Sequence, residues 1–280
     1  MSIESIAEAV VYELKKPYTE KELLVNLRNK IEPFIYNYLT INYYSMLQKA
    51  WENYAPPLTS KHAYVVIERR CHPNFDFILK NIAWANPNMS VYIFCSDVNE
   101  QFVLSLLGDK ARHFNIVQAF TEDVSRDQGI IEYNTLMATK EIYEIVEAEY
   151  MLTIQMDVFI RRPLDPEIFV GDYWGAPWIW NPTAAGGGGA TIRNISSMLE
   201  ICTKNTYEGS EKAEDMWICD RVNDMGYQFP DVDFRAMRIM ESVYSTNPVI
   251  VHQFWSFLGN CSDKTFDELV GYLNTILTLA

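Results

Sequence analysis

The chain has 280 residues, 49% of them apolar and 21% charged, which is a globular composition with length for one large domain or two small ones. Its 23 basic and 37 acidic side chains give a net charge of −14, which argues against a phosphate-tracking nucleic-acid binder, since such proteins need a basic face. An anionic ligand must then be held locally, by a metal ion, a helix N-terminus or a few basic side chains.

The aromatic content, 17 Tyr, 14 Phe and 7 Trp, suits a protein that stacks on rings. Five scattered Cys without Cys-x-x-Cys spacing fit reduced thiols in a cytosol-like compartment. The N-terminus carries no signal-peptide pattern, and no apolar stretch approaches the ~18 residues of a membrane span. The expectation is a cytoplasmic chain with no membrane span.

In chain order, residues 2–54 have apolar residues at helical spacing: Ile6, Val10 and Leu14, then Leu23, Leu27, Ile31, Ile35 and Leu39. Pro17 and Thr19 separate two helices, with Thr19 as the N-cap of the second. Pro56-Pro57 closes this section, so the expected division is a helical N-terminal extension, 1–57, and a main domain, 58–280.

Beyond it, buried strands are expected at 63–67, 91–94, 114–117 and 151–157, with helices at 75–84, 100–107 and about 133–146 between them. A polar loop precedes the last of these helices. Unbroken apolar strands alternating with helices predict an α/β fold with a mostly parallel sheet covered on both faces. Ligands then sit beyond the carboxyl ends of the strands. The polar residues at those ends are Glu68-Arg69-Arg70, Ser96-Asp97 and Gln155-Met156-Asp157.

Gln155 and Asp157, two apart on one strand, share a face, a Gln-x-Asp version of the Asp-x-Asp device that holds a divalent cation and a nucleotide sugar. A turn-capping Asp is the structural alternative. Residues 171–193 place Trp174, Trp178 and Trp180 ahead of Gly186–Gly189, so flat platforms adjoin a backbone without side chains. The run lacks P-loop spacing, and it could equally be a flexible loop beside core tryptophans.

Glu214-Asp215 opens a helix. Such a pair either complements the helix dipole or provides a general base. His252 ends a short apolar strand, where a lone His is usually a structural residue; paired with a strand-end Asp it is instead a candidate second ligand for Mn²⁺ or Mg²⁺.

Several motifs occur together in one order: Ile67-Glu68-Arg69-Arg70-Cys71-His72-Pro73, Tyr133-Asn134-x-Leu136-Met137, Gln155-x-Asp157, Gly175-Ala176-Pro177-Trp178, the glycine run, Glu214-Asp215 and His252. Over about residues 61–258 this order resembles a glycosyltransferase-like family, long catalogued only as a domain of unknown function, of giant DNA viruses, bacteria and some eukaryotes. The resemblance implies a GT-A fold, a Rossmann-like sheet flanked by helices, and transfer from a nucleotide-sugar donor to a glycan acceptor. It implies Asp157 and His252 as metal residues, Asp215 with its neighbour Glu214 at the catalytic base, and inversion of configuration. Glu68, Arg69, Ser96, Asn134 and Gln155 fall on the donor side. Gly187 and Gly188 fall on the acceptor side, where Trp178 and Trp255 are the stacking candidates.

Within that family, chain length and cytosolic character are compatible with the enzymes by which large algal viruses build capsid glycans, and the resemblance implies a UDP-sugar donor, with UDP-xylose as the choice within it. The alternatives are a nucleotidyltransferase and a non-catalytic carbohydrate-binding module. The N-terminal helices could pack on the core, form a homodimer or dock a partner.

Overall fold

The computed structural model describes residues 2–120, 125–209 and 212–280. Two helices open the chain, α1 (Ile3–Leu14) and α2 (Glu20–Glu52), as the spacing predicts. Thr19 starts α2 with a capping box. Its hydroxyl accepts from the Glu22 N–H, and the Glu22 carboxylate accepts from the Thr19 N–H. Leu27, Ile31, Ile35 and Leu39 form the buried stripe of α2.

The α/β part runs β1 (His62–Ile67), α3 (Phe75–Ala85), β2 (Ser90–Ser96), α4 (Glu100–Leu107) and β3 (Asn115–Phe120). It continues with α5 (Arg126–Met137), α6 (Lys140–Ile145), β4 (Tyr150–Ile154), β5 (Val158–Ile160), β6 (Tyr173–Ala176) and β7 (Gly187–Asn194). The last third is α7 (Ile195–Lys204), α8 (Glu214–Asp224), α9 (Val232–Arg238), β8 (Ile239–Met240), β9 (Ile250–His252), α10 (Trp255–Leu258) and α11 (Phe266–Leu277).

The main sheet has the order β3-β2-β1-β4-β7-β6. Strands β1 to β4 are mutually parallel, and β7 and β6 join antiparallel. A small second sheet, β5-β9-β8, lies beside it. The fold is therefore the expected α/β class, with a mostly parallel sheet, flanking helices and an N-terminal helical pair. Along β1 the side chains alternate between two cores. Tyr64 and Val66 face one, with α2 and α3, while Ala63, Val65 and Ile67 face the other, with Met137, Ile142 and Ile218. Burial on both faces is why the parallel strands read as unbroken apolar runs. Among the described residues no helix is long and apolar enough to cross a membrane.

Three local expectations are corrected. The helix expected at 133–146 is two helices, α5 and α6, because Thr139 is extended and breaks the run. The preceding loop falls partly on residues 121–124, outside the described residues, and α5 begins at Arg126. The fourth strand ends at Ile154 rather than running through 157. Gln155-Met156-Asp157 is a turn, closed by the Val158 N–H donating to the Gln155 carbonyl at 3.2 Å. Gln155 and Asp157 are thus neighbours in a turn, not alternate residues on one strand face.

Between β1 and β4 the strand order reverses, since β2 and β3 lie on one side of β1 and β4 on the other. In open α/β sheets ligands bind beyond the carboxyl ends at such a point.

Candidate active site

A cleft of about 740 Å³ lies there, walled by residues 67–72, the 155–157 turn, Tyr133 and Asn134 of α5, Gly188 and Gly189 of β7, and Asp215. Asp157, buried in the turn, meets two cations. The His252 Nε2 is 3.4 Å from its Oδ1, and the Arg28 guanidinium is 3.3 Å from its Oδ2. Behind His252, Glu241 Oε2 stands 3.0 Å from Nδ1. Burial works to raise the Asp157 carboxyl, but His252 and Arg28 overcome it and hold the group below the usual carboxylate range. Burial likewise opposes the imidazolium of His252. The carboxylates of Asp157 and Glu241 prevail and push its pKa up to about 10.

On the other wall, Asp215 is the second residue of α8. Its Oδ2 accepts from the Gly188 N–H at 3.0 Å, and its Oδ1 accepts from the Met216 N–H at 2.8 Å. Gly188 thereby joins the two halves of the site. Its amide holds Asp215, while a side chain on its α-carbon would lie 2.5 Å from Glu241 Oε2 and 2.7 Å from His252 Nδ1. At Gly189 a Cβ would meet Gln155 Oε1 at 2.5 Å, and at Gly187 it would run into Asp215 and Trp178. Gly187, Gly188 and Gly189 are therefore strand backbone pressed between site residues, not a flexible loop. The same crowding places Gly187 beside the expected platform Trp178.

Glu214 lies in the cleft wall, but both its oxygens accept from Arg193 Nη2, at 3.0 and 3.1 Å. Arg193, fully buried on β7, also donates to the Tyr143 hydroxyl and the Thr191 hydroxyl. Burial raises the Glu214 carboxyl to about 7 against the pull of Arg193. The pair is thus the anchor that fixes the start of α8 and aims Asp215.

On the expected donor side, Glu68 accepts from the Arg70 amide, Nε and Nη2 at 2.7 to 2.8 Å. Arg69 reaches Glu132 of α5 at 2.8 Å. Ser96 does not open on the cleft. It is buried, its hydroxyl donates to the Arg69 carbonyl at 2.7 Å, and Asn99 bonds the Glu68 and Arg70 carbonyls. The two residues brace the loop after β1. Trp255 is also away from the cleft, 2% exposed in the core beside Phe254. Trp178 is mostly buried and stacks on Trp180, which is 62% exposed, with ring centres 4.8 Å apart.

Sequence reasoning missed Arg28, Glu32, Asn74 and Glu241. Glu32 and Asn74 sit together behind Asp157, with Asn74 Nδ2 3.1 Å from Glu32 and 2.9 Å from the Met156 carbonyl. Burial and the Asp157 charge push Glu32 up to about 7. Arg28 and Glu32, four apart beside the buried Leu27 and Ile31, were the signal for the first pair: charges flanking an apolar helical stripe. Nothing local to Glu241 marks it.

Residues 116–252 match a family described as a protein of unknown function, DUF5672. No curated protein matches the chain in sequence. Among solved structures, the chain is similar to the apo form of the glycosyltransferase GlyE of Streptococcus pneumoniae TIGR4, at 10% identity and a TM-score of 0.46 over 76% of this chain and 62% of that one. The chain thus spans less than two thirds of that enzyme's length. It is also similar to the mannosyltransferase PcManGT of Pyrobaculum calidifontis in complex with GDP-Man and Mn²⁺, at 15% identity and 0.40 over 82% and 67%. A third is the 4-diphosphocytidyl-2C-methyl-D-erythritol synthase of Anaerococcus prevotii, at 7% identity and 0.37 over 77% and 95%.

Proposed function

We propose that the chain is an inverting glycosyltransferase that moves a sugar from a nucleoside-diphosphate sugar, with a UDP-sugar as first choice, to a hydroxyl of a glycan. The observation that carries this is the Gly188-Gly189 backbone, with the Asp215 carboxylate at the cleft on one side and the buried Asp157–His252 pair, backed by Glu241, on the other.

The residues fit a divalent cation. Asp157 Oδ1 is buried without a hydrogen-bond partner among the described residues. Its 3.4 Å separation from His252 Nε2 is close to the ~3 Å edge of an octahedral Mg²⁺ or Mn²⁺ shell with bonds of about 2.1 Å. Glu241 on Nδ1 supplies the carboxylate that ligating histidines usually carry on their other nitrogen. Among the described residues no three His, Cys, Asp or Glu are grouped to hold a metal, so Asp157 and His252 would be the two protein ligands, with donor oxygens and water completing the shell. Bound there, the ion would offset charge on the leaving diphosphate.

The chain's own residues do the rest. Both oxygens of Asp215 already accept one N–H, which fixes the plane of the carboxylate and leaves a lone pair for an acceptor hydroxyl. As the acceptor oxygen attacks the anomeric carbon, its proton passes to Asp215. The anomeric C–O bond to the diphosphate breaks, and the nucleoside diphosphate leaves on the opposite face. Glu214 and Arg193 hold α8 in the position this requires.

Asp215→Asn should cut turnover roughly 10²–10⁴-fold, the usual worth of a general base, while the affinity for UDP with Mn²⁺ stays near that of the wild type. Asp157→Ala should abolish the metal-dependent part of UDP binding. Near-full turnover in the first variant, or unchanged metal-dependent affinity in the second, sinks the corresponding assignment.

A further inference from the structure

Three arginines line the cleft among the described residues: Arg28, Arg69 and Arg70. Arg70 is engaged through its amide and two side-chain nitrogens by the buried carboxylate of Glu68, all within 2.8 Å. Arg69 is drawn 2.8 Å from Glu132. Both distances are those of committed charge-assisted bonds. Arg28 differs. It lies 3.3 Å from Asp157 and 3.7 Å from Glu32, both longer than such bonds, and its side chain is 37% exposed at the cleft rim. It comes from α2, whose neighbouring Leu27 and Ile31 are fixed in the core, so its backbone is firmly placed while its guanidinium stays adjustable.

The charge around it poses a problem that this placement solves. A diphosphate arriving at the 155–157 turn meets Asp157, with Glu32 and Glu68 near by, in a chain of net charge −14. Like charges at such a site repel the ligand unless a cation is already present. A guanidinium fork matches two phosphate oxygens at once, which a compact ammonium does not.

We propose that Arg28 is a diphosphate-binding residue of the donor site, delivered by helix α2. This rests on the nucleotide-sugar reading above. Before the donor arrives, Arg28 lies against Asp157. When the diphosphate enters, the guanidinium turns from that long contact to the phosphate oxygens. The N-terminal helices then belong to the donor site itself, although they fall outside the 116–252 segment shared with the matching family.

The test is calorimetric titration of the full chain with inorganic pyrophosphate, UDP and GDP, each with and without Mn²⁺. The proteins are the wild type, Arg28→Gln, Arg28→Lys and Lys61→Gln. Lys61 precedes β1 at the end of the sheet opposite the cleft, so its loss controls for net charge alone. Arg28→Gln should weaken pyrophosphate and the tighter of the two nucleotides by roughly tenfold or more, the worth of one charge-assisted pair, while Lys61→Gln stays within about twofold. Arg28→Lys keeps the charge without the fork and should lose about threefold or more; it decides the matter if Arg28→Gln does not fold. If the wild type binds these probes and neither Arg28 variant weakens them by more than Lys61→Gln does, Arg28 is only a counter-ion of Asp157 and the proposal falls while the donor site stands. Failure of the wild type to bind any of the three, with or without Mn²⁺, removes the nucleotide-sugar reading and this proposal with it.

Discussion

At Gly188 a single hydrogen atom in place of a side chain keeps both halves of the site together. Its φ of +96° is one that L side chains rarely adopt, and a methyl group there would press on Glu241 and His252. Gly188→Ala should therefore cost about 1–3 kcal/mol of stability, the usual range for a strained backbone position. It should also lose metal-dependent UDP binding, because the methyl displaces the carboxylate that orients the ring. Denaturant unfolding together with calorimetry checks both, and an alanine variant with wild-type Mn²⁺–UDP affinity would show that this close approach is dispensable. Gly271 is the contrasting case. It sits inside α11 at ordinary helical φ with open space around it, so Gly271→Ala should stabilise the protein by about 0.5–1 kcal/mol. Composition revealed the glycines but not their reason, since a run of four glycines reads equally as a loop. Only the neighbours brought in from 155, 215, 241 and 252 explain why no other residue fits.

Helix α8 depends on one buried pair for its aim. Arg193 is enclosed on β7, and Glu214 begins the helix with both oxygens on that guanidinium. Arg193→Met leaves Glu214 buried without a partner, which should cost about 3–5 kcal/mol. The penalty should also depend on pH. Burial already raises Glu214 to about 7 with Arg193 present, and without it the folded carboxyl holds its proton still more tightly. A carboxyl whose folded pKa lies above its unfolded value of 4.5 favours the folded state most below 4.5, and that advantage disappears as pH rises through the folded value. Arg193→Met should accordingly be least destabilised near pH 4 and most above about 7, relative to wild type. A penalty that is flat from pH 4 to about 8 would mean that Glu214 is not the group left exposed to the loss. Most elements of this kind were legible. The helix at 100–107, the strand at His252 and the acidic start of α8 follow from apolar periodicity and turn residues. What periodicity could not give was pairing between distant elements, such as Arg193 with Glu214, or a break made by one extended residue, Thr139, inside a helical pattern.

Across the molecule, the sheet and the N-terminal helices share one hydrophobic core, with Ile6, Leu27 and Ile31 in the same cluster as Tyr64, Val66 and Ile93. The proline pair at 56–57 marked a change of rhythm in the sequence, but composition does not reveal which surfaces later meet. Sharing a core has a consequence for ligand binding. A diphosphate and a cation at the 155–157 turn would contact residues from α2, β1, β7 and β9, so binding should stabilise the whole fold rather than one loop. UDP and Mn²⁺ at about 100 times the dissociation constant add ~2.7 kcal/mol, which for a chain of this size should raise the thermal midpoint by roughly 5 °C. With EDTA in place of Mn²⁺ most of that rise should vanish, because Asp157 then repels the diphosphate and Arg28 alone offsets it. Repeating the scan with Asp157→Ala separates two causes of metal dependence. If Mn²⁺ acts through Asp157, the variant's response to UDP should no longer depend on the metal. If Mn²⁺ merely travels bound to the nucleotide, the metal-dependent rise should survive the substitution, and the Asp157–His252 pair would have to be assigned to holding the 155–157 turn against β9 instead.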